Sequence, residues 1–280
     1  MLRQRVITAL LLVAVFLPAL FHPDPRFLAG LSLVMIALAA WEWARLVGCG
    51  PTPSVLLALA CLALCALTGW WNWVRQDLSA LWTAMVLIWV PGSVWLLRFG
   101  LTRWTALPTP LRAALGLGLL WATWLALYAA KVQGTNFILS VLLLVWAADI
   151  SAYFAGRALG RRKLAPSISP GKSWEGVVGA LIGVGLLSQV WIALDAHNPD
   201  WSPSLYTLLL NQGHLVLWLG LLFLTAMSVV GDLVESLIKP CAGVKDSSGL
   251  LPGHGGVLDR VDALLPTLPL ALWLAARVRP

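Results

Sequence analysis

The chain has 280 residues, 60% of them hydrophobic and 11% charged, with a mean hydropathy of +0.85. A soluble domain carries about 25% charged residues, so this composition excludes one and describes a polytopic membrane protein. The formal net charge of +7 reports membrane topology first and gives no ground for a nucleic-acid partner.

Nine apolar segments follow one another along the chain, at about 5–21, 27–47, 53–71, 79–97, 111–130, 136–156, 174–194, 213–232 and 261–277. The pair Pro91-Gly92 predicts a kink in the fourth. Cys61 and Cys65 lie one helical turn apart in the third and read as packing residues. None of the four cysteines forms a CxxC pair. With the N-terminus in the cytosol and the segments alternating, only Arg26, Arg75, Lys131, Arg277 and Arg279 of the 19 Lys and Arg residues fall on the far side. That is the asymmetry of the positive-inside rule. The predicted outer loop 195–212 carries Asp195 and Asp200 but no Lys or Arg. The 17 Trp residues suit interfacial belts. The expected architecture is therefore all-α, a polytopic integral membrane protein of about nine transmembrane helices with a cytosolic N-terminus. Residues 1–130 form an N-terminal set of helices. Residues 131–280 form a C-terminal region with polar loops 157–173 and 233–260, both on the cytosolic side.

These two loops and their helix ends gather seven of the 12 acidic residues: Asp149, Glu175, Asp232, Glu235, Asp246, Asp259 and Asp262. Carboxylates are costly beside lipid, so each needs a partner or a function. Asp149 lies within the last two turns of the sixth segment, with Tyr153 and Gly156 on its face. A basic cluster follows: Arg157, Arg161, Arg162 and Lys163. These residues serve equally well as topology anchors.

Residues 167–176, Ser-Ile-Ser-Pro-Gly-Lys-Ser-Trp-Glu-Gly, resemble a phosphate-binding loop. Ser173 can cap the following helix, whose free N–H groups favour anions, and Lys172 adds a point charge. It is not a Walker A loop, because the first glycine is missing and no strand precedes it. Capping without a ligand explains Ser173 as well.

Asp232, Glu235, Ser236 and Lys239 recur at helical spacing and share one face. A Glu235–Lys239 ion pair at an amphipathic helix exit explains three of them and leaves Asp232 over. Asp259 and Asp262 stand one turn apart at the start of the last segment. Such carboxylates could hold a hard cation such as Mg²⁺. A helix dipole accounts for one of them, but poorly for Asp232, Asp246, Asp259 and Asp262 together. His254 is open between ligand, phosphate donor and structural residue.

The stretch 236–262 is similar to the signature of the phosphatidate cytidylyltransferase (CDP-diacylglycerol synthase) family. Ser236, Lys239, Lys245, Asp246, Pro252, His254, Gly255, Gly256, Asp259, Arg260 and Asp262 stand in register with it. The segment from Asp149 to Gly176 resembles the family's other polar region. One departure is Pro240, where the family usually has Arg. It predicts a helix end after Lys239 and removes a cation.

The resemblance implies transfer of a cytidylyl group from CTP to phosphatidic acid, giving CDP-diacylglycerol and pyrophosphate. It implies Mg²⁺ as cofactor, with room for a second, monovalent cation, and membrane lipids as surroundings. It places the protein in a bacterial-type inner membrane with the site facing the cytosol. The expected metal ligands are Asp232, Glu235, Asp259 and Asp262. Asp232, Lys239, Lys245, Asp246, Asp259 and Arg260 are the expected catalytic set. Asp149, Lys163, Ser169, Lys172, Ser173, Glu175 and His254 are the expected substrate-binding set. A homodimer is compatible but has no sequence signal. Two rival functions stay open: a CTP-dependent polyprenol or lipid kinase, and a secondary transporter. The transporter would call for inverted repeats and a midplane site. A CDP-alcohol phosphotransferase would need an Asp-Gly-x-x-Ala-Arg pattern, which does not fit here.

Overall fold

The computed structural model describes residues 2–278; Arg279, counted above for topology, lies outside them. Helices α1 (Leu2–Phe21), α2 (Arg26–Leu46), α3 (Pro51–Trp70), α4 (Ser79–Ala106), α5 (Thr109–Gln133) and α6 (Thr135–Leu159) lead into a small hairpin of β1 (Lys163–Ala165) and β2 (Ser169–Ser173). After it come α7 (Trp174–His197), α8 (Leu205–Leu210), α9 (His214–Ile238), α10 (Leu258–Val261) and α11 (Leu264–Val278).

Eight helical stretches among the described residues are long and apolar enough to cross a membrane: α2 to α7, α9, and Leu258–Val278 made of α10 and α11. Helix α1 adds the shorter apolar stretch Val6–Phe21. The predicted segments match these helices in order, and most of the helices run a few residues further at one end or both. In α4 the backbone leaves helical dihedrals at Gly100 (φ 68°), not at Pro91-Gly92 where the kink was predicted. The hairpin was not expected either: Lys163 pairs with Ser173 and Ala165 with Ser169 in antiparallel register. It folds back the polar link between α6 and α7.

Helices α5 and α11 form the buried centre. Leu120, Leu125, Leu268, Leu270 and Ala271 are nearly or fully buried, whereas α3 and α7 present Leu56, Leu59, Ile182 and Leu186 outward. With lipid tails as apolar as leucine, close helix contact depends on small residues. The α6–α7 pair follows this rule. A Cβ on Gly179 would lie 2.2 Å from Ala155 Cβ, and one on Gly183 would lie 2.0 Å from Ser151 Oγ. Gly179→Ala is therefore expected to cost about 1–3 kcal/mol through overpacking, read as a lowered melting temperature in detergent. An unchanged melting temperature would mean that the helices separate freely.

Pro240 behaves as predicted. Helix α9 ends at Ile238, and a 3₁₀ turn, Lys239–Ala242, redirects the chain into the polar loop.

Candidate active site

Helices α6, α7 and α9 and the hairpin enclose a cleft of about 440 Å³. Its walls include Asp149, Tyr153 and Arg157 from α6, Ser169, Lys172 and Ser173 from β2, and Asp232 from α9. The close α6–α7 contact sets its floor: Gly156 and Gly176 approach near Ser173. Ser173 is buried and caps α7, its Oγ accepting from the Gly176 N–H at 3.2 Å. Lys172 Nζ reaches across to Asp232 Oδ2 at 2.8 Å. Asp232 Oδ1 accepts from the Ser236 hydroxyl at 3.1 Å. Asp149 has no hydrogen bond or ion pair among the described residues, and lies in electrostatic range of Lys172, Asp232 and Arg260. The two polar regions, some eighty residues apart in sequence, therefore meet at one place.

A second cluster lies beside the first. Lys239 Nζ bridges Glu235 Oε2 (2.6 Å) and Asp259 Oδ1 (2.5 Å), and all three side chains are largely buried. The other oxygen of Asp259 accepts from the N–H and Oγ–H of Ser247 and from the Gly256 N–H, at 2.7–3.0 Å. Asp259 thus closes the loop 247–256 onto α10. Gly255, at φ +80°, turns that loop where a Cβ would meet Asp259.

Sequence reasoning missed the residue that anchors this loop. Glu42, on α2, is fully buried. Its carboxyl oxygens accept from the Ser247 and Ser248 hydroxyls (3.2 and 2.5 Å) and from the Val257 and Leu258 N–H groups (3.0 and 2.6 Å). Both ends of the signature loop are tied to one side chain from the N-terminal half. A signal was available, since Glu42 is an acid in an otherwise apolar helix. Gly256 makes the approach possible, because a Cβ there would lie 2.4 Å from Glu42 Oε1.

The remaining predicted residues are placed as follows. Lys163 is exposed on β1, outside the cleft lining. Glu175 accepts from the backbone N–H groups of Arg161 (3.1 Å) and Arg162 (3.2 Å), so it pins the hairpin entry. Lys245 and Asp246 are exposed. The Arg260 guanidinium donates to the His254 carbonyl at 2.8 and 3.1 Å. Among the described residues His254 Nδ1 is buried with no hydrogen-bond partner. Asp262 Oδ1 accepts from the Ala263 N–H at 2.8 Å, in electrostatic range of Asp232, Lys239 and Asp149.

Among the described residues no three His, Cys, Asp or Glu side chains group closely enough to hold a metal ion by themselves, the expected Asp232, Glu235, Asp259 and Asp262 included. The reason is that Lys239 already occupies Glu235 and Asp259, while Asp232 turns toward the cleft. A magnesium ion that arrives on a polyphosphate needs only one or two protein carboxylates. Asp149 and Asp232, on facing walls of the cleft, fit that smaller requirement, and Asp149 is unpartnered.

A family model described as the cytidylyltransferase family matches residues 3–277. The chain belongs to that family. It is 38% identical to a protein of Pseudomonas aeruginosa named phosphatidate cytidylyltransferase, over 98% of both chains. Proteins of the same name from Haemophilus influenzae (36%, 96% of both chains) and Staphylococcus haemolyticus (31%, 96% of this chain and 97% of the relative) are also similar. Membership of this cytidylyltransferase family accounts for the signature residues. The cleft geometry adds that Lys172 of β2 and Asp232 of α9, outside that signature, face each other.

Proposed function

We propose that this chain is a phosphatidate cytidylyltransferase, converting CTP and phosphatidic acid to CDP-diacylglycerol and pyrophosphate. Full-length relatives of that name support the reaction. The observation that carries the choice of site is the Lys172–Asp232 pair beside the free Asp149 carboxylate, in a cleft between membrane helices.

The chemistry suits such a cleft. An oxygen of the lipid phosphate attacks the α-phosphorus of CTP. The new P–O bond forms as the bond to the α,β-bridging oxygen breaks, and pyrophosphate leaves with the electron pair. The nucleophile is already anionic, so no strong base is required. The difficulty is bringing two polyanions together, and it is met by positioning and fixed charge. Lys172 releases Asp232 and takes a nucleotide phosphate. Ser169 and the capped start of α7 line the same wall. The apolar residues Val177 and Val229 line the cleft as well, where the acyl chains of the lipid would rest.

Mg²⁺ held by Asp149 and Asp232 would neutralise phosphate charge when bound. Lys239 acts on the next shell outward, holding Glu235 and Asp259 so that the loop bearing His254 and Arg260 keeps its place. On this reading α1 is a ninth membrane helix, the N-terminus is cytosolic and the cleft opens to the cytosol, as the distribution of Lys and Arg supports.

The test uses purified protein, phosphatidic acid, Mg²⁺ and CTP labelled in turn at the α- and γ-phosphate. The expected result is α-label in the lipid fraction, abolished by EDTA and restored by Mg²⁺. Transfer of the γ-label would assign a lipid kinase instead. Turnover undiminished by EDTA would remove the metal from the account.

A further inference from the structure

The end of the bundle away from the cleft holds a second polar cavity, of about 550 Å³. Arg26 at the start of α2, Arg75 in the α3–α4 link and Lys131 near the end of α5 all line it. Lys131 is buried and committed, donating to the Leu20 carbonyl and the Thr135 hydroxyl at 2.6 Å. Arg26 and Arg75 are exposed, and their guanidinium groups have no hydrogen-bond or ion-pair partner among the described residues. The one acid present, Asp24, accepts from the Arg26 backbone N–H. The cavity therefore offers two free guanidinium groups with a buried ammonium behind them.

This cavity does not stand alone. Arg26, Asn72 and Tyr128 also line an adjoining groove of about 490 Å³ that continues along α2 and α3. The groove is mostly apolar, walled by Leu33, Ala66 and Trp124, and Gly30 and Gly69 leave its floor flat. At the junction, Trp70 and Trp71 are among the most exposed aromatics of the chain, 83% and 61%. Exposed Trp residues mark the depth of lipid headgroups. Arg26 and Glu42 stand sixteen residues apart on α2, so this cavity lies roughly 24 Å from the loop that Glu42 anchors.

We propose that this cavity and groove bind one anionic phospholipid of the leaflet opposite the catalytic cleft, its phosphate between Arg26 and Arg75 and an acyl chain along α2 and α3. Basic pockets between membrane helices take lipid phosphates by charge, and the groove supplies the contact that a free phosphate would not use.

Native mass spectrometry of the full chain in neutral detergent tests this, with phosphatidylglycerol, phosphatidylcholine and inorganic phosphate as the probes. One phosphatidylglycerol should be retained by the wild type and equally by Lys172→Gln. The double variant Arg26→Gln/Arg75→Gln should bind it about 30-fold more weakly, from the worth of two cations beside an anionic lipid. Gly30→Leu is the second variant. Its Cβ meets nothing within 4 Å, so it folds with both arginines in place while the leucine fills the groove, and it too should lose phosphatidylglycerol. Phosphatidylcholine should bind weakly throughout. Retention of phosphatidylglycerol by the arginine variant, or its loss in Lys172→Gln, would overturn the proposal. So would inorganic phosphate that displaces the lipid and still binds Gly30→Leu, since that describes an anion pocket without a lipid.

Discussion

Asp232→Asn is expected to lower kcat/KM for CTP by roughly 10²–10³-fold, the usual loss when one charge-stabilising group is removed from a site of this kind. The substitution keeps the shape of the side chain and an oxygen for the Ser236 hydroxyl. It removes the charge that faces Lys172 and, on the proposed reading, half of the protein's hold on magnesium. Stability should change little. Lys172 and Asp232 keep 23% and 35% of their side-chain surface exposed, and a pair so accessible contributes about 0–1 kcal/mol. The check is a labelled-CTP assay beside a melting curve in the same detergent. Activity close to wild type would remove Asp232 from the chemistry. A large drop in melting temperature would make its role structural.

Glu42→Ala should give the opposite profile, a loss of about 3–5 kcal/mol of stability, because buried donors stripped of their acceptor each cost about 1–3 kcal/mol. Three donors lose their acceptor at once, the Ser248 hydroxyl and the Val257 and Leu258 N–H groups, while the Ser247 hydroxyl keeps Asp259. They lie at both ends of the stretch 248–258, so the loop should loosen as a unit. Limited proteolysis should then cut within 243–257 while the hairpin between α6 and α7 stays intact. The melting temperature should fall by more than about 5 °C, given how stability changes move the midpoint of a chain this size. Unaltered proteolysis and melting would mean that the loop is held by Asp259 alone.

These two expectations mark what was legible in the chain and what was not. The helices were legible because lipid imposes a length and a composition on each of them. The cleft was partly legible. Asp149, Lys172 and Asp232 were each conspicuous as charge at a membrane boundary, and the structure brings them together. Less legible was which acids are consumed internally. Spacing placed Asp232, Glu235 and Lys239 on one face, but it could not reveal that Lys239 would take Glu235 and Asp259 together and leave Asp232 to the cleft. Glu175 stands in the expected substrate-binding set, and spacing could not show that its carboxylate accepts from the Arg161 and Arg162 N–H groups at the hairpin entry. Hydrogen-bond partners of this kind depend on contacts between distant segments, which local periodicity does not carry. Glu42 is the clearest case, because its partners lie more than two hundred positions away. The hairpin escaped for a different reason: Pro170 and Gly171 sit inside β2, where strand propensity is poor and only a short two-stranded pairing tolerates them.

The central claim is that the α6–α7 link and the end of α9 form one catalytic centre. A double-mutant cycle on kcat/KM with Lys172→Gln and Asp232→Asn tests it most directly. Side chains 2.8 Å apart that serve one step should couple by about 1–3 kcal/mol, so the loss in the double variant should fall short of the product of the single losses by roughly 5- to 150-fold. Losses that add in full would mean that the two residues work independently, and the shared centre would be contradicted.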